Sequence, residues 1–190
     1  MSKKEDKIVF QPKIEAIYKI IIIGDPSVGK TSLLTKFSTK KFKETYIPTV
    51  GVNIFKEIVN FEVNGNEVIV NLMLWDIAGQ THFYMLHESY FNGADGMMLV
   101  FDITRQSTFN NAKNWYNTTV KYGLSGIPRV LIGNKIDLES ERKIVQLHAD
   151  HLSHELNAQY FETSAKSGEN IDLIFKTITK ITFDSKSQKR

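Results

Sequence analysis

An apolar run of strand length, Tyr18-Lys19-Ile20-Ile21-Ile22-Ile23, opens directly into Gly24-Asp25-Pro26-Ser27-Val28-Gly29-Lys30-Thr31, and a helix-like segment begins at Thr31. Few sequence patterns restrict a fold more than G-x-x-x-x-G-K-[ST] between a strand and a helix. The glycines let backbone N–H groups turn inward around a phosphate, and the helix N-terminus adds the positive end of a dipole. In this reading Lys30 reaches the β- and γ-phosphates and the Thr31 hydroxyl ligates Mg²⁺. Asp25, Pro26, Ser27, Val28, Gly29 and Ser32 are the other expected contacts on the phosphate side. A helix that merely follows a Gly-containing turn is the ordinary alternative, and the strand before the loop weighs against it.

The rest of the chain alternates strands with helices. Asn53–Val63 and Val68–Asp76 read as strands joined by Asn64-Gly65-Asn66, a hairpin signal. Gly96–Phe101, Arg129–Gly133 and Gln159–Glu162 read as further strands, with helices at Thr31–Thr39, Ser107–Tyr122, Val145–Leu156 and Ile171–Ile181. The alternation predicts an α/β fold: a doubly wound, mostly parallel six-stranded sheet with one antiparallel edge strand. Three regions are expected: an N-terminal extension over 1–17, the nucleotide-binding domain over 18–182 and a polar tail over 183–190.

Composition narrows the classes. The chain has 190 residues, enough for one domain with a sizeable core, and 42% hydrophobic with 24% charged content fits a soluble globular protein. A net charge of +3 gives no nucleic-acid footprint. The absence of cysteine excludes disulfides, thiolate metal sites and thiol nucleophiles, and is compatible with a reducing cytosol. No apolar run approaches transmembrane length, no signal peptide is visible, and Ser2 stands where a myristoylation motif needs glycine. The expectation is a soluble cytoplasmic monomer, peripheral to membranes only through partners or a tail outside this sequence.

Ligands of such sheets bind beyond the carboxyl ends of the strands, and chemically apt residues recur there. After the hairpin comes Asp76-Ile77-Ala78-Gly79-Gln80. Asp76 is placed to hold Mg²⁺, the Gly79 amide to meet a γ-phosphate oxygen, and Gln80 to orient an attacking water. After a later strand comes Asn134-Lys135-Ile136-Asp137. An ionised carboxylate offers only acceptors. Asp137 therefore matches the adjacent N1–H and 2-amino donors of guanine and would face the N1 acceptor of adenine unpaired. The Lys135 stem can cover the base plane, and Asn134 can tie this loop to the phosphate loop. The last strand ends in Glu162-Thr163-Ser164-Ala165-Lys166, where the Ala165 amide is the expected donor to guanine O6, with Ser164 and Lys166 beside it.

From Tyr18 to Ile181 this ordered set (GDPSVGKT, WDIAGQ, NKID, TSAK) resembles the Ras superfamily of small GTPases, and most of all its Rab branch. Tyr46-Ile47-Pro48-Thr49-Val50-Gly51-Val52-Asn53, Tyr90-Phe91-Asn92-Gly93-Ala94 and Leu99-Val100-Phe101-Asp102-Ile103-Thr104 carry the Rab likeness. The resemblance implies slow Mg²⁺-dependent hydrolysis of GTP to GDP, with two switch loops that change the partner-binding surface. It implies a GTPase-activating protein, an exchange factor and effectors as partners. Thr49 would close the first switch onto Mg²⁺ and the γ-phosphate, Tyr46 would lie in the same nucleotide-facing loop, and Phe42 would pack on guanine. Lys30, Thr49 and Gln80 are then the expected catalytic residues, and Thr31, Thr49 and Asp76 the metal ligands. Departures from the pattern are Pro26, Ile54 and the Thr81-His82 pair.

Two other readings stand beside this one: a guanine-nucleotide-binding module with negligible hydrolysis, and an ATP-using P-loop kinase, which Asp137 disfavours. His148, His151 and His154, with Asp150 and Glu155, read as a polar face of one helix rather than a metal site. No arginine precedes Arg105, which follows a later strand and is not expected to donate to the phosphates.

Overall fold

The apolar run before the phosphate loop is the second half of a longer strand, β1 (Lys13–Ile23). The structure, a computed structural model, describes residues 13–42, 47–79 and 87–188. Five further strands join β1: β2 (Val52–Val63), β3 (Asn66–Ile77), β4 (Gly96–Asp102), β5 (Arg129–Asn134) and β6 (Gln159–Thr163). The helices are α1 (Lys30–Thr39), α2 (His87–Phe91), α3 (Gln106–Lys121), α4 (Gln146–Glu155) and α5 (Ile171–Ser187), with a 3-10 helix at Ile136–Glu141. The sheet runs β2-β3-β1-β4-β5-β6. All neighbours are parallel except the β2–β3 hairpin, as the alternation of elements predicts.

Both faces of the sheet are covered, which explains why the central strands carry no polar alternation. Ile20 and Ile22 point into one core with Leu33 and Leu34 of α1 and Ile174, Phe175 and Ile178 of α5. Ile21 and Ile23 point into the other with Phe91, Ala112, Trp115, Ala149 and Leu152. Every residue of β4 and β5 is buried. β3 behaves differently: Val68, Val70, Leu72 and Leu74 are fully buried, while the residues between them are half-exposed. At the hairpin tip Asn64 (φ 52°) and Gly65 (φ 77°) are both left-handed, the geometry that a two-residue turn matching the strand twist requires.

Element ends depart from the sequence expectation where packing extends a pattern. β1 begins at Lys13, paired with Glu67 of β3, so the boundary drawn after residue 17 falls inside a strand. α5 continues past Ile181 to Ser187 because Thr179, Thr182 and Phe183 prolong its buried stripe. α2 and the 3-10 helix have too few residues to show a period, and α2 is held by fully buried Phe91, which meets Tyr122 edge to face.

Because β4 neighbours β1, the loop after β4 lies beside the loop after β1. The loops after β5 and β6 extend the same edge.

Candidate functional site

The phosphate-loop backbone turns left-handed at Ser27 (φ 62°) and Gly29 (φ 98°) before α1 begins. Gly29 is needed for closeness as well as for conformation: a Cβ there would stand 2.2 Å from the Asn134 amide nitrogen. Gly79 approaches from the end of β3, where a Cβ would lie 2.6 Å from Asp25 and Pro26 backbone atoms. Only a residue without a side chain lets the two loops touch.

These loops border a cavity of about 730 Å³. Pro26, Ser27, Gly29, Lys30, Thr31, Ser32, Thr49 and Gly79 line it, together with Phe42, Asn134, Lys135, Asp137, Ala165 and Lys166. Among the expected site residues, Asp25, Val28, Asp76 and Ser164 reach it indirectly, through hydrogen bonds to its walls. Tyr46 and Gln80 lie outside the described residues.

At one end of the cavity Lys30 is buried, its ammonium donating to the carbonyls of Gly24 (2.7 Å) and Asp25 (2.9 Å). Burial lowers its pKa to about 8, against the pull of Asp76 and Asp25. The Thr31 hydroxyl donates to Asp76 Oδ2 at 2.6 Å. With that proton committed, the Thr49 hydroxyl is the donor across its 2.8 Å contact with Thr31, or to Asp76 Oδ2 at 3.3 Å. Asp76 is fully buried, and burial raises its pKa against the hydrogen bond from Thr31 and the charge of Lys30. Among the described residues its other oxygen, Oδ1, has no hydrogen bond of normal geometry, although the Asn53 side chain also helps to hold the charge of the carboxylate. A buried carboxylate oxygen without a donor is costly. A hard cation would satisfy it, and two hydroxyls with one carboxylate are the oxygen donors that Mg²⁺ takes alongside its own waters.

At the other end Asn134 serves as a strut. Its Nδ2 donates to the Val28 carbonyl (2.8 Å) and its Oδ1 accepts from the Ala165 amide (3.1 Å). It thus joins the loops after β1, β5 and β6. Asp137 is exposed toward solvent, and its Oδ1 accepts from the Ser164 hydroxyl at 2.5 Å. Ser164 Oγ in turn accepts from the Lys166 and Ser167 amides. Arg142 braces this end, forking onto Glu162 with two bonds of 2.7 Å. Tyr160 donates to the same carboxylate; burial pushes Glu162 up, but the Arg142 bonds first and the Tyr160 bond second hold it below the usual carboxylate range. The histidines of α4 (His148, His151 and His154) are exposed and belong to a different part of the surface.

A sequence model of the Ras family matches residues 19–184. The chain belongs to the Ras family. Within it, the chain is 38% identical over 164 residues to Ras-related protein Rab-13 of Mesocricetus auratus, covering 86% of this chain and 79% of that one. It is 37% identical over 169 residues to GTP-binding protein ypt1 of Schizosaccharomyces pombe, covering 89% and 81%. Against human Ras-related protein Rab-8B the figures are 36% over 164 residues, 86% and 77%. This Ras-family chain is a Rab-like small GTPase, an enzyme that hydrolyses GTP. Ras and Rab GTPases work with guanine nucleotides and Mg²⁺ and through regulators and effectors. Among the described residues no helix is long and apolar enough to cross a membrane.

Sequence reasoning missed the residues behind the phosphate loop of this Ras-family protein. Arg105, not expected to donate to the phosphates, donates instead from Nη2 to the Pro26 carbonyl at 3.0 Å, a contact that the sequence did not announce. The Asp25 carboxylate accepts from Asn111 Nδ2 (2.5 Å) and Trp115 Nε1 (2.8 Å) of α3. Adjacency of β4 to β1 brings these groups together, and no local pattern announces it. The one available signal was that α3 follows the strand that would flank β1.

Proposed function

We propose that the cavity holds GTP or GDP with its phosphates against residues 24–32 and its base between Asp137 and the loop of Ser164, Ala165 and Lys166. One observation carries this reading. Lys30 and Thr31, with Asp76 and its unpartnered Oδ1 behind Thr31, stand on the phosphate-loop side of the cavity, and an acceptor-only side chain, Asp137, stands on the side of the loops after β5 and β6. Lys30 would exchange two carbonyls for phosphate oxygens and stay charged. Asp137 would accept from guanine N1–H and the 2-amino group, the Ala165 amide would donate to O6, and Phe42 with the Lys135 stem would flank the ring.

Thr31, Thr49 and Asp76 would hold Mg²⁺, which supplies neutralisation of charge on the transferring phosphoryl oxygens. Thr49 ties its segment to Thr31 and Asp76, so loss of the γ-phosphate would release that segment and alter the outer surface. The Gly79 amide would meet the γ-phosphate, and Gln80 would orient the attacking water. In the cell, the protein would act as a cytoplasmic monomer controlled by an activating protein and an exchange factor, reaching membranes through partners or a lipid-bearing tail.

The test is competition. Labelled GTP bound to the purified protein should be displaced by GDP and not by ATP at roughly 10⁴-fold excess, the scale of rejection that buried polar pairing provides. Asp137→Asn should lower GTP affinity about 100-fold and improve binding of xanthosine nucleotides, whose 2-oxo group accepts where guanine donates. Equal competition by ATP would overturn the guanine assignment.

A further inference from the structure

The carboxylate of Asp102, at the end of β4, is buried with every acceptor position used. Its Oδ1 takes the Thr104 amide (2.9 Å) and the Thr104 hydroxyl (2.7 Å). Its Oδ2 takes Arg105 Nε (2.9 Å) and the Lys135 ammonium (2.7 Å). Arg105 reaches on, from Nη2, to the Pro26 carbonyl in the phosphate loop. Lys135 itself is held in the left-handed region (φ 74°) as the base loop leaves β5. A continuous charged chain therefore runs Pro26 carbonyl–Arg105–Asp102–Lys135, parallel to the neutral strut through Asn134.

We propose that Arg105 and Asp102 are positioning residues that clamp the phosphate loop to the base loop and thereby slow nucleotide release. The inference rests on the assignment of guanine nucleotide to the cavity. Its physical basis is the difference in what the ends can do. The Arg105 guanidinium is a rigid fork that makes two bonds in fixed directions. With one prong on Asp102 and the other on a loop carbonyl, it sets the distance between them. Asp102 cannot follow Lys135 away without breaking bonds in a buried site, where an unpaired carboxylate is costly. Movement of the base loop outward, as release of the base requires, therefore pulls on the loop that holds the phosphates. Burial pushes the Asp102 carboxyl up, and hydrogen bonds from Lys135 and Thr104 outweigh it and keep the group below its ordinary pKa, so it remains ionised at neutral pH. Arg105 is more than a third exposed, so it can be replaced without opening the core.

The experiment is the release rate of methylanthraniloyl-GDP from the full chain in Mg²⁺. Arg105→Gln should release it roughly tenfold faster, the scale of one charge-assisted hydrogen bond. Arg105→Lys should recover only part of the loss, because one ammonium on a flexible stem cannot reproduce the fork. In a Lys135→Met background, where the chain is already cut, Arg105→Gln should add no more than about twofold. A purely local effect on the phosphate loop would instead persist in full in that background and would overturn the clamp. Unchanged release in Arg105→Gln would overturn it as well. Asp102→Asn should match Arg105→Gln, and the Arg105 series stands without it if that buried variant does not fold. Failure of the unaltered protein to bind GDP would reject the cavity assignment itself. Normal binding with unaffected variants would reject the clamp alone.

Discussion

The Thr49 hydroxyl lies 2.8 Å from the Thr31 hydroxyl although the two residues are 18 positions apart in the chain. One threonine is the second residue of α1 and the other sits in the segment leading to β2, and both face the oxygen of Asp76 that already has its donors. In the function proposed above, this contact would join the segment that moves with nucleotide state to the phosphate loop, which does not.

Removing that contact should separate the two nucleotides. Thr49→Ala leaves Lys30, Thr31 and Asp76 in place, so GDP affinity should change by less than about threefold. Retention of a non-hydrolysable GTP analogue should fall about tenfold, the loss of one metal-linked hydroxyl contact. Release kinetics of both nucleotides in Mg²⁺ check this, and equal losses for the two would remove Thr49 from the switch.

Lys30 makes nucleotide binding pH-dependent. Its pKa in the protein is about 8 against 10.5 for a free lysine, because burial disfavours the charge. Between about pH 8 and 10.5 the unfolded chain holds a proton that the ligand-free fold has lost, so stability of the ligand-free protein should rise with pH across that window. A bound polyphosphate restores the charge, so GDP binding at pH 8.5 should take up a fraction of a proton. Calorimetry in buffers of different ionisation enthalpy measures that uptake. Lys30→Arg, charged throughout, should abolish it.

Phe175 should be among the costliest residues to truncate. Its ring is 1% exposed and stacks on Phe37 of α1 with centroids 3.9 Å apart, joining the two helices on one face of the sheet. Phe175→Ala should destabilise the fold by about 3–5 kcal/mol, the range for a buried phenylalanine. Urea unfolding should show a lower midpoint at unchanged slope, while nucleotide specificity stays as before.

Unassisted turnover should be slow. Phosphoryl transfer is accelerated mainly by positioning and by neutralising charge, and an arginine supplied to the phosphates is worth about 10³–10⁵ in rate. No arginine precedes Arg105, and Arg105 is engaged by Asp102 and the Pro26 carbonyl. Single-turnover hydrolysis near 10⁻⁴–10⁻³ s⁻¹ is expected, about tenfold slower still in Gln80→Leu. A rate of order 1 s⁻¹ without a partner would contradict the need for an activating protein.

What the sequence determined by itself was everything whose physics is local or periodic. The glycines and Lys30-Thr31 of the phosphate loop, the Asn64-Gly65 turn and the helix and strand periods are written in neighbouring residues, because backbone conformation and amphipathic faces are set within a few positions. The acceptor-only chemistry of Asp137 is a property of one side chain. Tertiary structure decided what depends on which strands lie side by side. Placement of β4 against β1 put Arg105 on Pro26 and Trp115 and Asn111 on Asp25, and placement of β5 beside β4 gave Lys135 its partner Asp102. It also carried α5 on to Ser187 and β1 back to Lys13, since those residues gained a packed face or a paired neighbour that only the folded sheet provides. Hydrogen bonds between groups 31 and 106 positions apart leave no period in a sequence, and they become visible only when strand order has set the distances.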